Sequence, residues 1–200
     1  MASNSPPAIV FVRHGETDWN KQGLVQGSVD TELNQTGRQQ AQAVAKLLAM
    51  RRDEWTGFDI IVSPQWRARQ TADYILQALD RTDFAVDLRV RELGFGIWEG
   101  RPIWEMKASP IYPPDAEGKY YWRPEGGESY EDGVARVDEW LNSLKKSTLV
   151  IAHGAVGRCL MGAVTHMEPH EIVNLPTPQG AYCDLSQGKI HWFDATGEHA

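Results

Sequence analysis

Cysteine is nearly missing from this chain. Cys159 and Cys183 are the only two among 200 residues, and neither sits in a paired-cysteine motif. That excludes a disulfide framework and fits two free, buried thiols in a cytoplasmic protein. Long apolar runs are missing too, so no segment reads as a membrane span. Met1 to Ala8 has neither a basic start nor an apolar stretch, so residues 1–7 read as a flexible leader and not a signal peptide. Runs of like charge are absent, and the formal net charge is −7. With no basic stripe to neutralise a phosphate backbone, nucleic acid is excluded as a partner. The same balance repels a small anion, so an anionic ligand requires a locally positive pocket. The arginines therefore carry unusual weight.

What the chain does have is a succession of short apolar runs alternating with helical periods. Its length suits one domain, residues 1–200, with a full core. Ile9 to Val12 is a buried-type strand. Thr36-Gly-Arg-Gln39 resembles a capping box, with Ala41, Val44, Ala45 and Leu48 following at helical spacing. Asp59 to Val62 is the next strand, after which Ser63-Pro64 is expected to cap and open a helix carrying Ala68, Ala72, Ile75, Leu76 and Leu79 inward. A short strand is expected near Ala85 to Leu88. Residues 98–127 show no clean period, are rich in aromatics and read as a cap-like insertion. Ser129-x-x-Asp132 starts a further helix. Thr148 to Ala152 is a strand, with a helix expected from about Val156. Ala181 to Leu185 and Lys189 to Phe193 read as a closing strand pair. This alternation predicts a three-layer α/β/α fold around a mostly parallel central sheet.

Two of the apolar strands end in a histidine followed by glycine, as Arg13-His14-Gly15 and as His153-Gly154. In open α/β sheets ligands bind at the carboxyl ends of the strands. If both strands are central and parallel, the two imidazoles meet at one edge. Arg67 falls in the first turn after the third strand end, and Glu92 lies just beyond a fourth. Two arginines, two histidines and one carboxylate can bind and cleave a phosphate monoester without a metal. The guanidinium groups of Arg13 and Arg67 can fork onto phosphate oxygens. Amides after His153, those of Gly154 and Ala155, add donors at a helix N-terminus. His14 must be neutral to attack phosphorus, and two nearby arginines disfavour its protonation. Attack would give a phosphohistidine, with Glu92 protonating the leaving oxygen. Taken singly, His153 is a satisfied polar residue, Arg67 a solvated helix residue and Glu92 a turn carboxylate; the chemistry rests on their conjunction.

With those residues in place, the chain resembles the histidine phosphatase superfamily, the phosphoglycerate-mutase-like proteins. Arg13-His14-Gly15-Glu16-Thr17-x-Trp19-Asn20 is similar to that family's opening signature. Leu33-x-x-Thr36-Gly37-Arg38-x-x-Ala41, Ser63-Pro64-x-x-Arg67-Ala68-x-Gln70-Thr71-Ala72 and Val150-Ile-Ala-His153-Gly154 resemble its later motifs. The resemblance implies a phosphoglycerate-mutase-like fold, His14 as the phosphorylated residue, Arg13, Arg67 and His153 around the phosphate, and Glu92 as proton donor. It implies substrate contacts at Thr17, Asn20, Gln26 and Gly27, and at Phe95. It implies neither cofactor nor metal, and a small phosphate ester as the partner.

The family holds mutases and phosphatases. Mutases carry a tyrosine where this chain has Phe95, a lysine near Ile103, and paired arginines where only Arg123 beside Trp122 is available. Trp122-Arg-Pro-Glu-Gly-Gly-Glu-Ser129 resembles the phosphatase branch. The expectation is a metal-independent phosphomonoesterase acting on a sugar or glycerate phosphate, with Lys119 and Arg123 near its cap. A cofactor-dependent phosphoglycerate mutase is the alternative, and a non-catalytic phosphate-binding module a more distant one. Cysteine-phosphatase chemistry is excluded because Thr165 and Lys189 stand where its arginine would be. No pair of aspartates one residue apart offers an aspartyl-phosphate site, and Gly94-x-Gly96 lacks the rest of a dinucleotide loop. The sequence leaves oligomeric state open.

Overall fold

The protein is described by a computed structural model covering residues 7–199, so the expected leader lies, Pro7 apart, outside the described residues. The strands are Ile9–Arg13 (β1), Asp59–Val62 (β2), Ala85–Val86 (β3), Thr148–Ala152 (β4), Tyr182–Asp184 (β5), His191–Asp194 (β6) and Gly197–His199 (β7). They form one sheet in the order β3-β2-β4-β1-β5-β6-β7. The first four in that order run parallel, and β5 to β7 are added antiparallel. The helices are Asp18–Gln22 (α1), Gln35–Met50 (α2), Trp66–Leu79 (α3), Ile103–Ala108 (α4), Ala116–Tyr121 (α5), Tyr130–Ser143 (α6), Gly154–Thr165 (α7) and Pro169–Ile172 (α8).

The pleat explains why β1 and β4 read as continuous apolar runs. Alternate side chains point to opposite faces, and both faces are covered. Val10, Val12, Leu149 and Ile151 pack with Val44, Ala45 and Leu48 of α2 and with Ala68, Ala72, Ile75, Leu76 and Leu79 of α3. Ile9, Phe11, Val150 and Ala152 pack on the other side with Val137 and Trp140 of α6 and with Cys159, Leu160 and Met161 of α7. Helices leaving β1 and β2 thus cover one face, while the helix leaving β4 covers the other. A crevice opens between the carboxyl ends of β1 and β4 at such a reversal. A third, smaller apolar cluster of Val25, Trp98 and Met106, with Phe95, Tyr112 and Trp122 against it, lies under α4.

Several expected boundaries shift. The cap of α2 is Asn34, which accepts the Gly37 N–H at 2.9 Å, rather than Thr36. Ser63 does not cap α3; Gln65 occupies that position without a side-chain cap bond, because the Ser63 hydroxyl is turned onto His153. Helix α7 begins at Gly154, two residues earlier than expected, directly off the strand end. Residues 98–127 contain the short helices α4 and α5. The helix expected from Ser129 is present with a capping box between Ser129 and Asp132, and it buries Gly133, Val137 and Trp140. The closing strand pair gains a third member, β7.

Candidate active site

Register places the reactive groups. Arg13 pairs with Ala152, and Val62 pairs with Ile151. The ladder continues one residue further, as the His14 N–H donates to the Ala152 carbonyl and the Ser63 N–H to the Ile151 carbonyl, each at 3.0 Å. His14, His153 and Ser63 therefore emerge side by side at one sheet edge. The two imidazole centroids stand 5.1 Å apart, and both rings are buried.

The hydrogen bonds of His14 define its protonation. Its Nδ1 lies 2.7 Å from the Gly15 carbonyl, which can only accept, so Nδ1 carries the proton. Its Nε2 receives the Arg67 Nε–H at 3.3 Å and so holds a lone pair. Burial, then Arg67 and Arg13, hold this imidazole well below the usual histidine pKa. The result is a neutral ring whose free electron pair sits beside a guanidinium.

Arg67 is fully buried on α3, its remaining nitrogens donating to the Val29 and Gly27 carbonyls at 2.8 and 2.9 Å. Burial lowers its pKa to about 10, which leaves it charged at neutral pH. Arg13 donates to the Thr177 carbonyl at 2.7 Å. Its buried Nε has no hydrogen-bond partner among the described residues, and neither does Nδ1 of His153. An unpartnered buried guanidinium N–H is costly in a native protein, whereas Nδ1 of His153 donates or accepts according to the tautomer of its ring. The Nε2 of His153 is 2.6 Å from the Ser63 hydroxyl, and burial foremost depresses its pKa well below normal.

Glu92 sits at the N-terminus of α7. Its carboxylate accepts N–H bonds from Leu93 at 3.0 Å, Ala155 at 3.1 Å and Val156 at 2.9 Å. This corrects one expectation: the Ala155 amide is directed to Glu92 and is not free for an incoming anion. Gly154 meets the site differently, lying flat against the Arg13 guanidinium, 3.5 Å from where a Cβ would stand.

Arg13, His14, Arg67 and Glu92 open into a cavity of about 600 Å³ that Asn20, Gln26, Gly27 and Phe95 also line, whereas His153, Gly154 and Ala155 do not reach its wall. Thr17 is buried behind it, capping α1 and donating to Gln26 Oε1 at 3.0 Å. Gly27 has φ +54°, and a Cβ there would run into Glu99, so glycine is required. Lys119 lines the cavity, but Arg123 does not; it is exposed and pairs with Asp132 at 2.5 Å.

Sequence reasoning missed the supports. Thr71 accepts the Gly15 N–H at 3.1 Å, and Gln65 bridges the Gly27 carbonyl to the Glu92 amide, both at 2.8 Å. Gln179 donates to the His14 carbonyl and to Asn20. Arg158 and Tyr130 line the cavity too. For Arg158 a signal existed, since it is the only charged residue within the apolar α7 sequence GAVGRCLMGAVT.

Known proteins resemble this chain along most of its length. A family model described as the histidine phosphatase superfamily (branch 1) matches residues 9–193. A 6-phosphofructo-2-kinase/fructose-2,6-bisphosphatase from Caenorhabditis elegans is 31% identical over 90% of this chain, which spans only 40% of that protein's length. A glucosyl-3-phosphoglycerate phosphatase from Mycobacterium tuberculosis is 29% identical over 96% of this chain and 86% of its own. A solved mycobacterial glucosyl-3-phosphoglycerate phosphatase in complex with VO3 superposes with a TM-score of 0.78 at 29% identity, covering 93% of this chain and 96% of that one.

Proposed function

The chain belongs to branch 1 of the histidine phosphatase superfamily, and on that footing we propose that it hydrolyses small phosphomonoesters through a phosphohistidine on His14. The observation that carries this reading is the fixed tautomer of His14, neutral, with Nε2 unprotonated beside Arg67. An ester phosphate enters beside His14 between the guanidinium groups of Arg13 and Arg67, which donate hydrogen bonds to its oxygens, with His153 next to them. Nε2 attacks phosphorus in line, an N–P bond forms and the P–O ester bond breaks. Glu92 gives its proton to the departing alkoxide. In the second half a water gives a proton to Glu92 and attacks phosphorus. The N–P bond then breaks and inorganic phosphate leaves.

A sugar or glycerate phosphate fits the size of the cavity. The named activities of two relatives, on fructose 2,6-bisphosphate and glucosyl-3-phosphoglycerate, lie in the same class. Charge is neutralised by guanidinium groups, so turnover is expected to persist in EDTA. Wild-type protein should hydrolyse p-nitrophenyl phosphate in the presence of chelator, and His14→Ala should lose on the order of 10³-fold or more of that rate. Equal rates for the two proteins would reject the mechanism. Appearance of 2-phosphoglycerate from 3-phosphoglycerate, in place of free phosphate, would assign the chain to the mutases.

A further inference from the structure

The cavity holds more positive charge than one phosphate engages. Arg13 and Arg67 lie beside His14, and Arg158, Lys107 and Lys119 line the same cavity. Of the two carboxylates facing the same space, Glu92 is bound to the first amides of α7. Glu128 is paired with Arg91 at 2.7 Å and with Arg136 at 3.3 Å, and it accepts the Gly94 N–H at 3.0 Å. Among the described residues no salt bridge involves Arg158, Lys107 or Lys119. In a chain of net charge −7, this local excess is not a general property of the surface.

Arg158 is the cation that the fold fixes. It is half-buried, its Nε–H donates to the Leu175 carbonyl at 2.7 Å, and its NH1 donates to the Tyr130 hydroxyl at 3.2 Å. The second terminal nitrogen of this guanidinium makes no hydrogen bond among the described residues. Because the Tyr130 oxygen accepts from Arg158, its own O–H remains to donate. Burial pushes that phenol up to about 12, so it keeps the proton at neutral pH. One guanidinium edge and one phenol O–H side by side offer two donors and a single positive charge. A carboxylate, with two oxygens and one negative charge, matches that pair better than a second dianionic phosphate does.

We propose that Arg158 and Tyr130 form a carboxylate subsite, so that the preferred substrates are small phosphomonoesters carrying a carboxylate a few bonds from the ester oxygen. The inference rests on the phosphomonoesterase reading above and narrows it. A sugar phosphate without a carboxylate would leave the guanidinium edge without an anionic partner, a loss that discriminates between substrates.

The test compares 3-phosphoglycerate with glycerol 3-phosphate, which lacks the carboxylate. Calorimetric titration of the His14→Ala protein reads affinity without turnover. The expected result is at least tenfold tighter binding of 3-phosphoglycerate. Adding Arg158→Gln should bring the two affinities close together, and Tyr130→Phe should narrow the gap by less. With His14 intact, Arg158→Gln should reduce kcat/KM for 3-phosphoglycerate at least tenfold more than for glycerol 3-phosphate, chiefly through KM. Equal affinity of the His14→Ala protein for the two esters would overturn the subsite, as would a gap that neither substitution narrows. Failure of the wild type to hydrolyse p-nitrophenyl phosphate would count against the hydrolase reading alone.

Discussion

At the scale of single residues, His14 and His153 tie activity and stability to acid in a common way. Both are buried, and burial with neighbouring guanidinium groups puts their folded-state pKa values well below normal. Unfolded, they titrate near 6.5, so below that pH the unfolded chain binds more protons than the native one. Their contribution to stability is thus present in full above pH 6.5 and is lost as pH falls toward the lowered native values. Each can contribute a slope of at most about 1.4 kcal/mol per pH unit in that window. Urea denaturation at pH 7.5 and 5.5 should show the wild type losing more stability than His14→Ala; identical losses would contradict a neutral buried His14. Of this site, the reactive residues were legible because their types are rare at strand ends. The supports were not: Thr71, Gln65, Gln179 and Ser63 act through single hydrogen bonds that depend on where distant elements cross.

At the scale of elements, the loop after β1 is held by an interlock of two glycines. A Cβ on Gly37 would be driven into the Glu16 carbonyl, and one on Gly15 into the Gly37 carbonyl. Backbone meets backbone here, so neither side can yield by rotating a side chain. Gly37→Ala should destabilise the protein by about 2 kcal/mol or more and lower kcat/KM by displacing the loop that carries His14. Chemical denaturation and a p-nitrophenyl phosphate assay would check both; wild-type values would show that the crossing is loose. The sheet strands were readable because burial on both faces writes a run of Val, Ile and Leu into the chain. Helix ends were less so. Asn34 and Thr36 are both competent caps, and only the docking of α2 against the Gly15 loop selects between them. Helices α4 and α5 are six residues each, too short for a period to emerge.

At the scale of the molecule, a chain of net charge −7 gathers Arg13, Arg67, Arg158, Lys107 and Lys119 around one crevice. An anion that binds there and not to the unfolded chain must raise the melting temperature. Inorganic phosphate at ten times its Kd stabilises by about 1.4 kcal/mol, or roughly 3–6 °C for a chain of this length. Arg67→Met should abolish most of that shift in a thermal melt, and an undiminished shift would place phosphate elsewhere. The apolar cluster under α4, made of Val25, Trp98 and Met106, is distinct from the two that sandwich the sheet and meets one of them at Phe95. Val25, Met106, Tyr112 and Trp122 of this smaller cluster line the cavity from one side, and Arg13, His14 and Arg67 at the sheet edge line it from the other. Such a division lets the choice of substrate drift through changes in the smaller cluster while the chemistry stays fixed at the sheet edge.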